Sequence, residues 1–366
     1  MHHIDRTLLT IVILLVGIGF FIFSSASLGL LAREGARFSS VALNQVLFGI
    51  VGGTLALYVT SSIHYRIWRK YAFYIFVASI LLTLLVFIPG LGLTYGGATR
   101  WIDLGPISFQ PSEFLKLGLV IYMATWLSGM KNYIDKFLKG TLPFIGIMGL
   151  VGIVLLLQPD TDTFAIIAAA SVSMFIAAGG RIRDVLLMFV AGLVLVTVLA
   201  FSRPYIMDRL TTFFDPTIDP QGSSYQINQS LIAIGSGGIL GRGFGQSIQK
   251  FEYLPEPIGD SIFAVFGEEF GFVGSSLLII LFAFFTFRGY RIATHSPDLF
   301  GMLLVVGFIT LIVVQAFLNI SSMLALAPLS GLPLPFISHG GTALFATLAA
   351  VGIVLNVSKY QRRRAG

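Results

Sequence analysis

Apolar residues run through this chain in stretches far longer than the core of a soluble helix needs, and polar residues gather in the breaks between them. A helix rises 1.5 Å per residue, so crossing the hydrocarbon layer of a membrane takes roughly 20 consecutive apolar residues. By that measure ten runs qualify, near 7–24, 41–60, 71–90, 112–129, 141–157, 163–179, 184–201, 261–287, 301–321 and 339–357. The pattern predicts an all-α integral membrane protein of ten transmembrane helices, with a large loop over 202–260 between helices 7 and 8. Residues 1–366 read as one polytopic domain, without a repeat of fixed period or an inverted repeat. The first run continues into FSSASLGLL with no polar domain behind it, so it reads as a span and not a cleaved leader.

Composition agrees, since 56% hydrophobic and 11% charged residues exclude an ordinary soluble domain. The net charge of +6 would suit nucleic acid, but the basic residues sit in short loops between apolar runs, so no nucleic-acid partner is expected. There is no cysteine, hence no disulfide framework and no thiolate metal site.

An even number of spans puts both termini on one side, and the basic residues say which. Arg6, Arg66, Arg69, Lys70, Lys131, Lys136, Lys139, Arg181, Arg183, Arg288, Arg291, Lys359, Arg362, Arg363 and Arg364 all fall on the side of the termini, fifteen of the 23. The opposite side holds Arg33, Arg37, Arg100, Arg203, Arg209, Arg242 and Lys250. The positive-inside rule then makes both termini cytoplasmic and the polar segments 91–111, 202–260 and 322–338 extracytoplasmic. Long loops rich in Gly, Pro and acids are where function is expected. Within 202–260, SYQINQSLIAIGSGGIL predicts a short interfacial helix ending at Gly235–Gly238.

The stretch GQSIQKFEYLPEPIGDSIFAVFGEEFGFVG, 245–274, holds the strongest candidate for chemistry. It delivers Asp260 to the start of the eighth run, where a carboxylate costs free energy unless something uses it. Two readings of Asp260 stand side by side, a helix N-cap and a general base. They pull its pKa in opposite directions, because a helix terminus lowers it while burial and the charge of Glu256 raise it. Glu268 and Glu269 follow about two turns deeper, roughly 12 Å along the helix.

Lys116 is the one basic residue well inside an apolar run, and Glu113 precedes it by three positions. It forms either a local ion pair or the wall of a polar cavity that meets a phosphate. Arg100, Arg209, Arg242 and Lys250, with GGATR at 96–100 and GSGGILGRGFG at 235–245, would together suit a diphosphate. That glycine run fits no Walker or dinucleotide fingerprint. In QPDTD, Asp160 and Asp162 read as helix caps before they read as a metal pair, and the five His are scattered. GLPLPFISHGGTAL, 331–344, is either a rigid turn or a cavity lining, with Ser338 and His339 as polar contacts.

In family order, several segments resemble the SEDS family (shape, elongation, division and sporulation). They are RWIDLGPISFQPSEFLKL (100–117), QPD (158–160), RLTTFFDPTIDPQGSSYQINQSLIAIGSGGILGRGFGQSIQK (209–250), YLPEPIGDSIFAVFGEEFGFVG (253–274) and PLPFISHGG (333–341). The resemblance covers essentially the whole chain, and GQSIQK and EYLPE lean towards its FtsW branch. It implies a peptidoglycan glycosyltransferase that polymerises lipid II onto a nascent lipid-linked glycan at the outer face of the cytoplasmic membrane. A class B penicillin-binding protein and other division or elongation membrane proteins are the implied partners.

The family's essential aspartate corresponds to Asp260, its early loop-and-helix motif to Arg100, Glu113 and Lys116, and its loop arginine to Arg209. On this reading Asp260 is the general base. Arg100, Lys116, Arg209, Lys250 and Ser338 contact substrate or diphosphate, and Glu113, Asp160, Glu256, Glu268, Glu269 and His339 support them. A divalent cation, Mg or Mn, is the cofactor such chemistry admits. Four positions depart from the family pattern: Asp162 stands where QPDLGT has glycine, His339 replaces the tyrosine of SYGG, and Ile258 and Gly259 precede the aspartate in place of the usual His–Thr. Two alternatives stand beside the enzyme: a lipid II flippase, which would use Lys116, Glu268 and Glu269 as a path, and a noncatalytic scaffold.

Overall fold

The computed structural model describes residues 4–33, 39, 41–95, 98–103, 108–215, 219, 221, 222 and 224–361. Arg37, Arg362, Arg363 and Arg364 of the charge count, and Gly96 and Gly97 of GGATR, lie outside the described residues. Helices α1 (Arg6–Arg33), α2 (Val41–Ser62) and α3 (Arg66–Phe87) lead to three short strands, β1 (Gly92–Tyr95), β2 (Ala98–Asp103) and β3 (Ser108–Phe109). Then come α4 (Pro111–Gly129), α5 (Phe137–Leu157), α6 (Thr161–Ala177) and α7 (Ile182–Ser202). The long polar segment folds into α8 (Pro204–Phe214), α9 (Tyr225–Ser236) and the single turn α10 (Gln249–Glu252). The chain closes with α11 (Ile262–Thr294), α12 (Leu299–Met323) and α13 (Gly341–Ser358).

Eight described helices, α1, α2, α3, α5, α7, α11, α12 and α13, are long and apolar enough to cross a membrane. The other two predicted spans also fall on helices. α6 has only 17 residues, and α4 opens on Pro111, Ser112 and Glu113 with Lys116 a turn later, which dilutes its apolar character. The all-α expectation holds, and one short sheet lies among the helices. β1 pairs antiparallel with β2 (Gly92↔Ile102) and β2 with β3 (Ile102↔Phe109), so these three strands satisfy their backbone as a small sheet.

Local signals set the helix starts. Pro111 begins α4, where its missing N–H is no loss. Asp160 caps α6 by accepting the Thr163 N–H at 3.4 Å, and Asp298 caps α12 through Gly301 N–H at 2.8 Å. α12 and α13 form the centre of the bundle, with 78% and 83% of their apolar windows buried, against 6% for α7, which stands at the rim with its side chains outward. α12 packs on α4, α6 and α11, and α13 on α2.

Contacts sort the loops into two ends. Asp5 N–H donates to Ser358 Oγ (3.0 Å), Arg288 pairs with Asp5 (2.7 Å), Tyr65 N–H donates to Asn356 (2.8 Å) and Arg66 pairs with Asp298 (3.1 Å). The start of α1 and the end of α13 therefore meet at one pole of the bundle, among Arg66, Arg288 and Lys359. The turns around Asp160 and Asp260 and the segment between α12 and α13 meet at the other.

Candidate active site

Asp260 ends the turn that enters α11, and three consecutive carbonyls of that turn are held from outside it. His339 N–H donates to Ile258 O (2.7 Å), Ser338 Oγ to Gly259 O (2.6 Å) and Asn319 Nδ2 to Asp260 O (2.7 Å). Ser338 Oγ also accepts Leu334 N–H (2.7 Å), and Asn319 Nδ2 also donates to Leu332 O (2.8 Å). The turn closes on itself through Glu256, whose carbonyl accepts Gly259 N–H (3.0 Å) and Ser261 N–H (3.2 Å). With its backbone fixed this way, the Asp260 side chain is positioned by α12 and the 331–340 segment together.

The carboxylate is not a helix cap. Ser261 occupies the N-cap position of α11, its side chain makes no cap hydrogen bond, and its hydroxyl instead accepts Gln226 Nε2 (2.9 Å). Asp260 is half-buried, and its Oδ1 is buried without a hydrogen-bond partner. Burial pushes its carboxyl up to about 7, and the charge of Glu256 adds to the shift, against weaker opposition from Gln226 and the N–H groups of Asp260 and Ser261. Burial thus wins over the helix terminus, and the group is poised near neutral pH.

His339 is no proton source. Its ring stacks on Phe23 (5.9 Å between centroids), its Nε2 is buried without a partner, and burial lowers its pKa to about 4. Its backbone N–H, not its ring, touches the Asp260 turn.

Lys116 makes the local ion pair, 2.7 Å from Glu113 Oε1, with both side chains buried, and it also reaches Gln315 Oε1 at 2.9 Å. Gln315 in turn donates to Pro333 O (2.8 Å). Gln315 and Asn319 stand one turn apart on α12, so one polar stripe carries the contacts of both Lys116 and Asp260.

The other predicted cations do not converge on one anion. Arg100 closes the QPD turn, donating to the carbonyls of Gln158 (3.3 Å) and Pro159 and lying 3.7 Å from Asp160. Burial nevertheless holds the Asp160 carboxyl above its ordinary range, with Arg100 opposing. Lys250 is fully buried, and its ammonium reaches Glu269 Oε1, Ser25 Oγ and Gly245 O, each at 2.8 Å. In this structure Lys250 is an internal strut between the loop, α1 and α11. Glu268 accepts Ser247 Oγ (2.6 Å) and the N–H groups of Ile248 (3.1 Å) and Gln249 (3.3 Å), which anchors α10, while Arg242 lies 3.5 Å away. Arg209 is the exception. Its Nη1 lies 2.9 and 2.8 Å from the two oxygens of Asp162 in a partly exposed pair.

The glycine run cradles backbone and not phosphate. α11 breaks at Gly271 (φ 64°, ψ −163°), where the turns of an intact helix would pair Phe272 N–H with Glu268 O and Val273 N–H with Glu269 O. Instead Arg242 and Gly243 N–H donate to Glu268 O (3.0 Å) and Glu269 O (2.9 Å), while Phe272 and Val273 N–H donate to Gly238 O (2.9 Å) and Ile239 O (3.1 Å). Two bonds within the helix are exchanged for four with an inserted loop. A Cβ on Gly241 would lie 2.2 Å from Glu269 O, and one on Gly271 2.3 Å from Gly241 N, so the approach requires glycine on both sides.

Among the described residues no three His, Asp or Glu side chains group as metal ligands. Asp160 and Asp162 are each engaged with an arginine, so QPDTD does not fit a metal pair. Sequence reasoning missed Gln315 and Asn319, although their spacing of four inside the ninth apolar run was a visible polar stripe. It missed Gln226 too, for which the sequence carries no local signal.

Fold and site define a multi-pass membrane protein that assembles polar loops over one pole of its bundle, around a poised carboxylate. The family model described as a cell cycle protein, FtsW/RodA/SpoVE, matches residues 5–363. The chain belongs to this family, as its motifs had implied. It is 39% identical over 358 residues to "Stage V sporulation protein E" of Bacillus subtilis (strain 168), covering 98% of each chain. It is 36% identical over 364 residues to "Probable peptidoglycan glycosyltransferase FtsW" of Geobacter sp. (strain M18), covering 99% of this chain and 98% of the relative.

Two solved structures share the fold. One is described as "Structural coordination of polymerization and crosslinking by a peptidoglycan synthase complex" (TM-score 0.79, 28% identity, 98% and 99% of the two chains covered). The other is the rod shape determining protein RodA of Thermus thermophilus (TM-score 0.68, 26% identity, 98% of each chain covered).

Proposed function

We propose that this chain is a peptidoglycan glycosyltransferase that polymerises lipid II into β-1,4 glycan strands, with Asp260 as its general base. Several relatives carry the name peptidoglycan glycosyltransferase. The observation that carries the assignment of Asp260 is its buried, unpartnered Oδ1 on a turn whose three carbonyls are fixed, with a carboxyl pushed up to about 7. That is a base held in place with one carboxylate oxygen left free to take a proton.

In the reaction, Asp260 takes the proton from the 4-hydroxyl of the acceptor GlcNAc while that oxygen attacks C1 of the donor MurNAc. The C1–O bond breaks, its electron pair leaves with undecaprenyl diphosphate, and a single displacement turns the α-linked donor into a β-linked product. The diphosphate needs its charge neutralised more than it needs an acid, and Arg209, partly exposed beside the segment that holds the Asp260 turn, is placed to supply it. A Mg or Mn ion would enter with the diphosphate, since the protein groups no metal ligands among its described residues.

The meeting of Asp5 and Ser358 at the basic pole supports cytoplasmic termini, which leaves Asp260 extracytoplasmic. The likeness to a chain of a peptidoglycan synthase complex supports a class B penicillin-binding protein as partner. Lipid II in detergent micelles tests the proposal. Wild-type protein with its partner yields polymer, whereas Asp260→Asn yields none and keeps the wild-type fold. Polymer from Asp260→Asn at the wild-type rate would overturn the role of Asp260, and a folded wild type that never polymerises would overturn the enzyme itself.

A further inference from the structure

The carboxylate of Asp162 sits in a site built like one for phosphate. Its Oδ2 accepts from Arg209 Nη1 (2.8 Å) and from the backbone N–H of Gly331 (3.2 Å), and its Oδ1 lies 2.9 Å from the same Nη1. A guanidinium and a backbone N–H converging on one oxygen is a recurrent way of holding a phosphate oxygen. The pair is partly open to solvent, with side-chain exposures of 29% for Arg209 and 15% for Asp162, so a ligand can reach it. Asp162 uses a single nitrogen of Arg209. Among the described residues Nε and Nη2 have no acceptor, and Nη2 borders the position a Cβ of Gly331 would take, at 3.9 Å.

The site also adjoins the base. Gly331 precedes Leu332, whose carbonyl shares the Asn319 amide with the carbonyl of Asp260.

We infer that Asp162 is a built-in competing anion, occupying the Arg209–Gly331 site in the resting chain until the diphosphate of a lipid-linked substrate displaces it. This rests on the glycosyltransferase reading for the identity of the ligand, and on geometry alone for the existence of the site. A diphosphate gains where the carboxylate cannot, because its additional oxygens engage Nε and Nη2 together with Nη1 and the Gly331 N–H. The carboxylate is tethered, so any ligand competes with an effectively concentrated rival. A weak, singly charged anion then stays out and a diphosphate enters. The glycine of the family motif QPDLGT would leave this site open, and its replacement by Asp162 closes it.

Inorganic pyrophosphate titrated into the full-length protein in detergent, followed by calorimetry, tests the inference without any turnover. Asp162→Asn is expected to bind pyrophosphate about three- to fivefold tighter than wild type, the scale of one partly exposed competing ion pair, and Asp162→Gly to tighten as well. Arg209→Ala removes the gain in either background. Pyrophosphate binding by Asp162→Asn no tighter than by wild type, in protein that still melts cooperatively, overturns the inference, and so does a gain that survives Arg209→Ala. Because this readout needs neither lipid II nor Asp260, an Asp260→Asn variant that still polymerises would sink the proposed base and leave the anion site standing.

Discussion

Nδ2 of Asn319 lies 2.7 Å from the carbonyl of Asp260 and 2.8 Å from that of Leu332, so one buried amide ties the turn before α11 to the segment before α13. Asn319→Leu leaves both carbonyls without their donor, each costing about 1–3 kcal/mol if it stays buried. The variant is expected to melt at lower temperature and to polymerise roughly tenfold more slowly or worse, because the carboxylate loses its fixed position. Thermal unfolding and a polymerisation assay on the same preparation check both halves.

The pKa of Asp260 sets two opposite pH trends. As a base it must be ionised, so the rate is expected to rise with pH up to about 7 and then level. Stability runs the other way: a carboxyl raised from 3.8 to about 7 binds its proton more tightly in the folded chain, so its contribution is complete below 3.8 and lost as pH rises through 7. Asp260→Asn should therefore be inactive yet melt higher than wild type at pH 8, with the difference shrinking towards pH 4. A pH series of melting curves for the two proteins decides this.

Gly271→Ala forces a side chain into a left-handed backbone position and against Gly241 N, only 2.3 Å from the new Cβ. The inserted loop has to withdraw, giving up four hydrogen bonds for two. A loss of more than about 1 kcal/mol is expected, with increased proteolysis within 237–250. Gly17→Ala, which meets nothing within 4 Å, is the matched control.

Lys250 and Glu269 are 2.8 Å apart with neither side chain exposed. Removing one partner strands a buried charge, so Lys250→Met or Glu269→Gln alone should cost about 3–5 kcal/mol, while the double variant Lys250→Met/Glu269→Leu recovers part of it. If Lys250 instead bound diphosphate, the double variant would show a raised KM for lipid II; an unchanged KM is the expected result.

Short-range chemistry was readable in the chain. The spacing of Glu113 and Lys116 announced their ion pair, the glycines after SYQINQSLIAI announced the end of α9, and Asp160 before a span announced a cap. The partners of Arg100, Arg209 and Lys250 were not, because these cations meet acceptors 19 to 60 positions away or on another helix, and loop charges alone say only that an anion is wanted. The pairing of Arg209 with Asp162 turned an apparent departure from the family motif into a contact. The same limit applies to Asp260. A carboxylate before an apolar run predicts a cap, and only the surrounding fold, with Ser261 in the cap position and Asn319 and Ser338 on the backbone, shows that it does not serve as one.

The splice at Gly271 divides ownership of α11. Ile262–Phe270, one residue on from Asp260, is bonded at its end to the 238–243 loop, while Phe272–Thr294 continues as a long apolar helix. A force transmitted along the loop, from Lys250 through Glu269, therefore reaches the short segment bearing the carboxylate without passing through that long helix. The Asp260 carboxylate is thus tied to the polar loop and not to the far length of α11.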